Sequence, residues 1–249
     1  MPKLPEHRHR ALLKDVRNGK GVRIVEAAQR LGVSPMTVRR DLTVLEEQGL
    51  VQRVHGGAVL SPAARFGERL STRARAKSHA ATKLAPFLPR QGAIYLDGST
   101  TMLHLVSRLA GARGVQVATN NVETFRRLAS VRGVEPLLIG GQLDRRTDNL
   151  VGALALRSIL ATVFDAAFFS AWGLAPGFGP MEVTLEDAEV KDLVASRSQA
   201  VYLAVDAKKL GVTAPGAWRP DQARTLLATD LSDKDERLRP YRTQFRRIL

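Results

Sequence analysis

Apolar residues recur three and four apart in two short stretches near the N-terminus. Ala27, Ala28 and Leu31 line one face of a predicted helix that Gly32 ends, and Val38, Leu42 and Leu45 line a second. Ser34 stands where it can cap the second helix, and Pro35 fits its first position, where no amide hydrogen bond is lost. Met36, Arg40, Thr43 and Glu47 then fall on the outward face, with Thr37 and Arg39 flanking it. After Gly49 the period shortens to two, so that Val51-Gln52-Arg53-Val54 reads as a strand entering a turn at His55-Gly56-Gly57. Leu12, Leu13 and Val16 supply a further helix to the same core. The order predicts a winged helix-turn-helix over residues 1–60, a unit that binds duplex DNA.

The pattern then changes. Residues 61–78 mix Pro, Gly, Ser and Arg with little apolar content and read as a linker, partly helical toward its end. Beyond it, short apolar runs alternate with helical stretches. Strands are predicted at 93–96, 115–118, 136–139, 166–170, 200–205 and 225–228, and helices at 102–109, 122–129, 154–161 and 185–197. Such alternation implies a mostly parallel sheet wrapped on both faces, so residues 79–249 are expected to form an α/β domain.

Charge sharpens this division. The formal net charge of the 249 residues is +14, and residues 1–90 hold 18 Lys and Arg against 7 Asp and Glu. An excess gathered at the helix-turn-helix end is what a phosphate-binding surface needs. The chain has no cysteine, which excludes disulfides and thiolate metal sites. No apolar run approaches the roughly 20 residues needed to span a bilayer, so no membrane partner is expected and the cytoplasm is the default location.

The candidate chemistry of the second domain lies where its predicted strands end, which in open α/β sheets is where ligands bind. Asp97-Gly98-Ser99-Thr100-Thr101 offers hydroxyls, amides and a helix start suited to an anionic oxygen cluster, although a Ser/Thr-rich helix start is equally often only a cap. Thr119-Asn120-Asn121, Gly140-Gly141, Ser170-Ala171-Trp172-Gly173 and Asp206-Ala207-Lys208-Lys209-Leu210-Gly211 follow other strands. Lys191 lies inside a predicted helix, where a solvated surface charge is the commoner explanation. No cofactor motif is present, and no His/Asp/Glu spacing points to a metal.

The segments SPMTVRRDL at Ser34 to Leu42 and HGGA at His55 to Ala58 resemble the N-terminal domain of DeoR-family transcriptional regulators. In that family the first belongs to the recognition helix and the second to the wing. The C-terminal loops resemble the family's effector domain, with its DGGTT, TNN, GG, EAxxK and DSSKxG segments in the same order. The resemblance implies a fold similar to sugar-phosphate isomerases and a phosphorylated sugar or related metabolite as effector. By position it places Asp97, Gly98, Ser99, Thr100, Thr101, Asn120, Asn121, Lys191, Asp206 and Lys209 at the effector, and Ser34, Met36, Thr37, Arg39, Arg40, Arg53, His55 and Gly56 at DNA. Ser99, Asp187 and Ala207-Lys208 depart from the family pattern, and Trp172 and Phe178 put two aromatics near the expected pocket mouth.

These readings combine into a ligand-controlled repressor that binds an operator as a homo-oligomer. Two rivals come from other classes. One is a sugar-phosphate isomerase or deaminase with a DNA-binding arm, which would need a base from among Asp97, Asp187 and Asp206. The other is an architectural DNA-binding protein without an effector.

Overall fold

The helix-turn-helix forms around two local signals at Gly32 and Ser34. In the computed structural model, which describes residues 4–17 and 21–249, the chain begins with α1 (Pro5–Asp15), β1 (Val22–Arg23), α2 (Ile24–Leu31) and α3 (Pro35–Glu47). The hairpin β2 (Val51–Val54) and β3 (Gly57–Leu60) and then α4 (Pro62–Ser71) complete this part. Gly32 ends α2 in the left-handed conformation, φ 66°, and its amide bonds back to α2 carbonyls. Ser34 accepts the Thr37 amide at 3.1 Å, and Pro35 takes the first turn of α3. Leu12, Ala27, Ala28, Val38, Leu42 and Leu45 bury together, each large side chain contributing about 1.5–3 kcal/mol. The strand β3 lies between β1 and β2, antiparallel to both.

A charged side chain is buried beside this core. Asp41 faces inward from α3 and accepts Arg8 Nε at 2.7 Å and Nη2 at 2.9 Å, with His9 Nε2 at 3.1 Å. Burial alone would raise the Asp41 carboxyl, but its bonds from Arg8 and His9 more than offset that and hold it below the ordinary carboxylate range. The pair ties α1 to α3 across 33 residues of chain.

The segment 61–78, expected to be helical only toward its end, is helical through most of its length. Ser61 accepts the Ala64 amide and caps α4, and α5 (Ala74–Thr82) follows after two residues. Phe66 is buried despite the polar composition around it. The chain divides into its two compact units between Thr72 and Arg73.

The second unit continues from α5 through β4 (Ala93–Leu96), α6 (Leu103–Val106), β5 (Val115–Thr119), α7 (Val122–Ala129) and β6 (Val134–Leu138). A hairpin of β7 (Gln142–Asp144) and β8 (Asn149–Val151) precedes α8 (Ala153–Leu160) and β9 (Phe164–Phe169). Then come β10 (Gly173–Ala175), β11 (Gly179–Glu182), α9 (Leu185–Ser196), β12 (Ser198–Ala204), β13 (Gly216–Ala217), β14 (Thr225–Ala228) and β15 (Arg247–Ile248). Seven strands pair in parallel in the order β15-β14-β12-β9-β4-β5-β6. The six predicted strands are all members of it. From β4 the chain winds outward through β5 and β6, then returns to the other side of β4 with β9. The direction of winding therefore reverses between β4 and β9, which opens a crevice at their carboxyl ends. The helix expected over 102–109 is shorter, with a 3-10 turn replacing its second half. No helix among the described residues is long and apolar enough to cross a membrane.

Replacing Asp41 with Asn is expected to lower the stability of the N-terminal unit by about 1.5–3 kcal/mol, the range for bonds to charged groups. Because the folded carboxyl titrates below its ordinary value, its contribution is present above about pH 4 and fades as pH falls. Urea unfolding of both proteins should therefore differ at pH 7 and converge in acid. Equal stability at pH 7 would refute the tie.

Candidate functional site

Helix α3 presents a capped, basic surface. Met36, Arg39 and Arg40 are exposed, and neither guanidinium has an ion-pair partner among the described residues. Ser34 Oγ and Thr37 Oγ1 lie 2.9 Å apart, so both hydroxyls also serve the helix start. The hairpin is held against the helix, for the Arg53 amide donates to Glu46 Oε1 at 2.8 Å and its guanidinium to Thr43 Oγ1 at 3.1 Å. Arg53 thus aligns the wing with α3, while His55 and Gly56 occupy its exposed tip. An α-helix of this kind fits the major groove, where an arginine bonds guanine O6 and N7.

In the second unit the loops after β4, β9 and β12 meet around one buried lysine. Lys191, on α9, is 4% exposed and donates to Glu182 Oε1 at 2.7 Å and the Ser170 carbonyl at 2.9 Å, with Asp97 Oδ2 at 3.2 Å. The ammonium is thus enclosed by two carboxylates and a carbonyl, and the solvated surface charge suggested by helical position alone is ruled out. Burial would lower this ammonium, but Glu182, Asp97 and Asp187 outweigh it and hold the lysine above its ordinary value. Asp97 in turn accepts the Ser99 amide at 2.9 Å and the Ser170 amide at 2.8 Å, fastening the β4 loop to the β9 loop. Lys209, from the β12 loop, reaches Ser170 Oγ at 3.1 Å and the Ala171 carbonyl.

The asparagines serve the scaffold. Asn120 accepts the Tyr95 hydroxyl at 2.8 Å and donates to the Leu150 carbonyl at 3.0 Å. Asn121 caps α7 through the Thr124 amide and donates to the Asp148 carbonyl and to Asn149 Oδ1. Gly98 is packed so tightly beneath them that a Cβ there would lie 2.2 Å from Asn149 Oδ1 and 2.5 Å from Asn121 Cβ. A side chain is tolerated at Ser99, whose Oγ accepts the Met102 amide at 3.1 Å.

Four contributors lie outside the set marked from sequence. Lys77 of α5 is buried and donates to Thr100 Oγ1 at 3.0 Å, bringing a positive charge to the first loop. The helix that follows this loop, α6, spans only four residues. Arg73 pairs with Asp206, and Asn149 donates to Asp187 Oδ1 at 2.9 Å. Glu182 is the fourth. Burial pushes its carboxyl up, to about 7, although Lys191 opposes the shift. A lone acid in the apolar run Pro180-Met181-Glu182-Val183 was the only signal in the sequence for it. Thr101 Oγ1 is buried with no hydrogen-bond partner among the described residues. Trp172 and Phe178 are both more than half exposed. Among the described residues no group of three or more acidic and histidine side chains could hold a metal ion.

Residues 8–62 match the DeoR-like helix-turn-helix domain, and residues 72–230 match the DeoR C terminal sensor domain. The chain belongs to the DeoR family. It is therefore a DNA-binding transcriptional regulator with a sensor domain, and the relatives below carry regulator or repressor names. It is 33% identical to the uncharacterized HTH-type transcriptional regulator YgbI of Escherichia coli, over 94% of this chain and 89% of that one. It is 28% identical to the glycerol-3-phosphate regulon repressor of Escherichia coli, covering 82% of each chain. Among solved structures it is similar to ribose 5 phosphate isomerase A from Neisseria gonorrhoeae, with a TM-score of 0.37, 17% identity and coverage of 53% of this chain and 52% of that one.

In this DeoR-family sensor the buried carboxylates set a pH dependence. Glu182 titrates near 7 when folded and near 4.5 ordinarily, so its protonation favours the folded state in acid, and that contribution is lost as pH rises through 7. Asp187, also raised by burial, acts in the same direction. Calorimetry should show the sensor unit melting higher at pH 5.5 than at pH 8, with Glu182→Gln removing most of the difference. Lys191→Ala, which strips the counter-charge from Asp97 and Glu182, should cost about 3–5 kcal/mol. A variant slope equal to wild type, or a Lys191→Ala loss below 1 kcal/mol, would disprove the charge assignment.

Proposed function

We propose that this regulator is a repressor whose operator affinity is set by a phosphorylated sugar or a related anionic metabolite. The observation that supports it best is the joining, in one chain, of two exposed arginines on a capped α3 with a buried lysine, Lys77, at the Asp97–Thr101 loop. Arg39 and Arg40 read bases or grip phosphate in the major groove, Met36 and Thr37 contact the same groove, and His55 and Arg53 engage the adjoining backbone. Two copies bind half-sites about one helical turn apart. The anionic group sits at the Asp97–Thr101 loop beside Lys77, with Lys209 across the crevice. Asp97, Asn120, Asn121 and Lys191 hold these loops in register instead of touching the ligand. Relatives named for glycerol-3-phosphate and for a lactose phosphotransferase system favour a phosphorylated effector, and a cytoplasmic protein follows from that.

The test has two parts. Arg39→Ala and Arg40→Ala should each weaken discrimination between operator and scrambled DNA by up to about 1–3 kcal/mol, leaving the sensor's melting unchanged. A thermal-shift panel of phosphorylated sugars and their unphosphorylated counterparts should give stabilisation only among the former, about 2.7 kcal/mol at 100 times Kd. That stabilisation should be lost in Lys77→Ala. Equal effects of phosphorylated and plain sugars would overturn the anion reading, and intact discrimination in both arginine variants would overturn the recognition surface.

A further inference from the structure

The boundary between the two units falls on a residue whose side chain is committed to an effector loop. Arg73 is the first residue of the sensor unit, and its backbone adopts the left-handed conformation, φ 55° and ψ 35°. It is one of two non-glycine residues with positive φ among the described residues. L-residues other than glycine keep that conformation only where surrounding contacts hold them. For Arg73 the contacts are plain. Its guanidinium pairs with Asp206 Oδ1, and its carbonyl accepts the Lys77 amide at 3.1 Å, starting α5. One turn later Lys77 reaches Thr100 of the first loop.

Asp206 is 1% exposed and its two oxygens differ. Oδ1 takes Arg73 and the Lys208 amide, whereas Oδ2 is buried with no hydrogen-bond partner among the described residues. An unpartnered carboxylate oxygen in such a place calls for a donor. It lies in the loop that also carries Lys209, whose ammonium reaches Ser170.

We propose that Asp206 receives a hydroxyl of the effector on Oδ2 and that its pair with Arg73 carries this event to the boundary between the units. The inference rests on the effector reading above and adds to it the class of group read there, a hydroxyl donor, and the route outward. A donor arriving at Oδ2 draws charge from the carboxylate and weakens its hold on Arg73. The left-handed backbone at residue 73 then loses its support, and the direction in which the chain enters α5 changes. Arginine is suited to this role because its planar guanidinium holds the carboxylate in a fixed geometry that lysine does not reproduce.

The joint can be tested without any ligand. The chain has no cysteine, so Gln29→Cys and Glu189→Cys, exposed positions in the two units, accept one spin label each. Labelled chain is diluted with unlabelled chain, and distances are read by double electron–electron resonance. Asp206→Asn should broaden or shift the distance distribution and change operator affinity at least fivefold with no small molecule added. Arg73→Lys should do the same to a smaller extent, and it carries the test should Asp206→Asn fail to fold. Unchanged distributions and operator affinities within twofold of wild type would overturn the joint, whatever the effector. In the second arm, inorganic phosphate and glycerol 3-phosphate are added to the labelled wild type alongside any compound that stabilises the protein in the sugar panel. A hydroxyl-bearing phosphate that moves the distribution, where inorganic phosphate does not, supports the Oδ2 assignment. A shift produced equally by inorganic phosphate overturns that assignment and leaves the joint standing. An empty panel beside a positive first arm counts against the effector reading and not against the Arg73–Asp206 joint.

Discussion

The bond between Asp97 and the two loops it joins fixes the geometry of the sensor unit. Asp97 stands at the end of β4, where the winding of the sheet reverses, and its carboxylate holds the amides of Ser99 and Ser170 while facing Lys191. Parallel strands leave their carboxyl-end loops without hairpin partners, so something must set the distance between neighbouring loops. Here a single carboxylate does it. Its own burial would be prohibitive without a cation, and Lys191 supplies that cation from α9, shared with Glu182. A polar network of this sort stabilises only when every member is satisfied, which explains why so many of the loop side chains bond to one another.

Residues in the same short motif consequently have different roles. Gly98 and Asp97 shape the first loop from within, Asn120 and Asn121 brace it from the neighbouring strand, and Ser99 and Thr100 tie it to the start of α6 and to Lys77. The same division holds at the other end of the chain. Ser34 and Asp41 build α3, Arg53 aligns the wing, and the guanidinium groups of Arg39 and Arg40 have no ion-pair partner among the described residues. An unpaired arginine on a rigid, capped helix is useful because its side chain alone must be ordered on binding.

What could be read from sequence follows how local each signal is. Ser34, Pro35 and Gly32 act within four residues of themselves, and the helices they bound form as the spacing predicts. Six of the seven strands of the parallel sheet carry short apolar runs and were visible for the same reason, whereas the two-residue β15 was not. Asp41 was not, because its partners Arg8 and His9 lie more than thirty residues away. Lys191 was placed at the site only by resemblance, since helical spacing makes an isolated lysine look solvated. Helix α4 was hidden by composition, whereas the end of the same segment, where α5 begins, reads as partly helical. The residues that break the apolar pattern there, Arg73 and Lys77, are polar because they bond to the loops after β12 and β4. The β7–β8 hairpin escaped notice because its turn uses Asp148 at φ 62° in place of glycine.

Ser170 shows why a local event need not stay local in this domain. Its amide is held by Asp97, its carbonyl by Lys191 and its hydroxyl by Lys209, so three elements share one residue. A ligand that displaces any of these partners leaves the others with a buried charge to re-satisfy. The low polarity of the surroundings makes an intermediate arrangement costly, and close-packed neighbours cannot deform by degrees. The loops should therefore exchange between few discrete arrangements. A regulator gains from such behaviour, since occupancy of a small site is converted into a choice between states. The same buried charges that lower the sensor's stability above neutral pH thus give its loops their collective response.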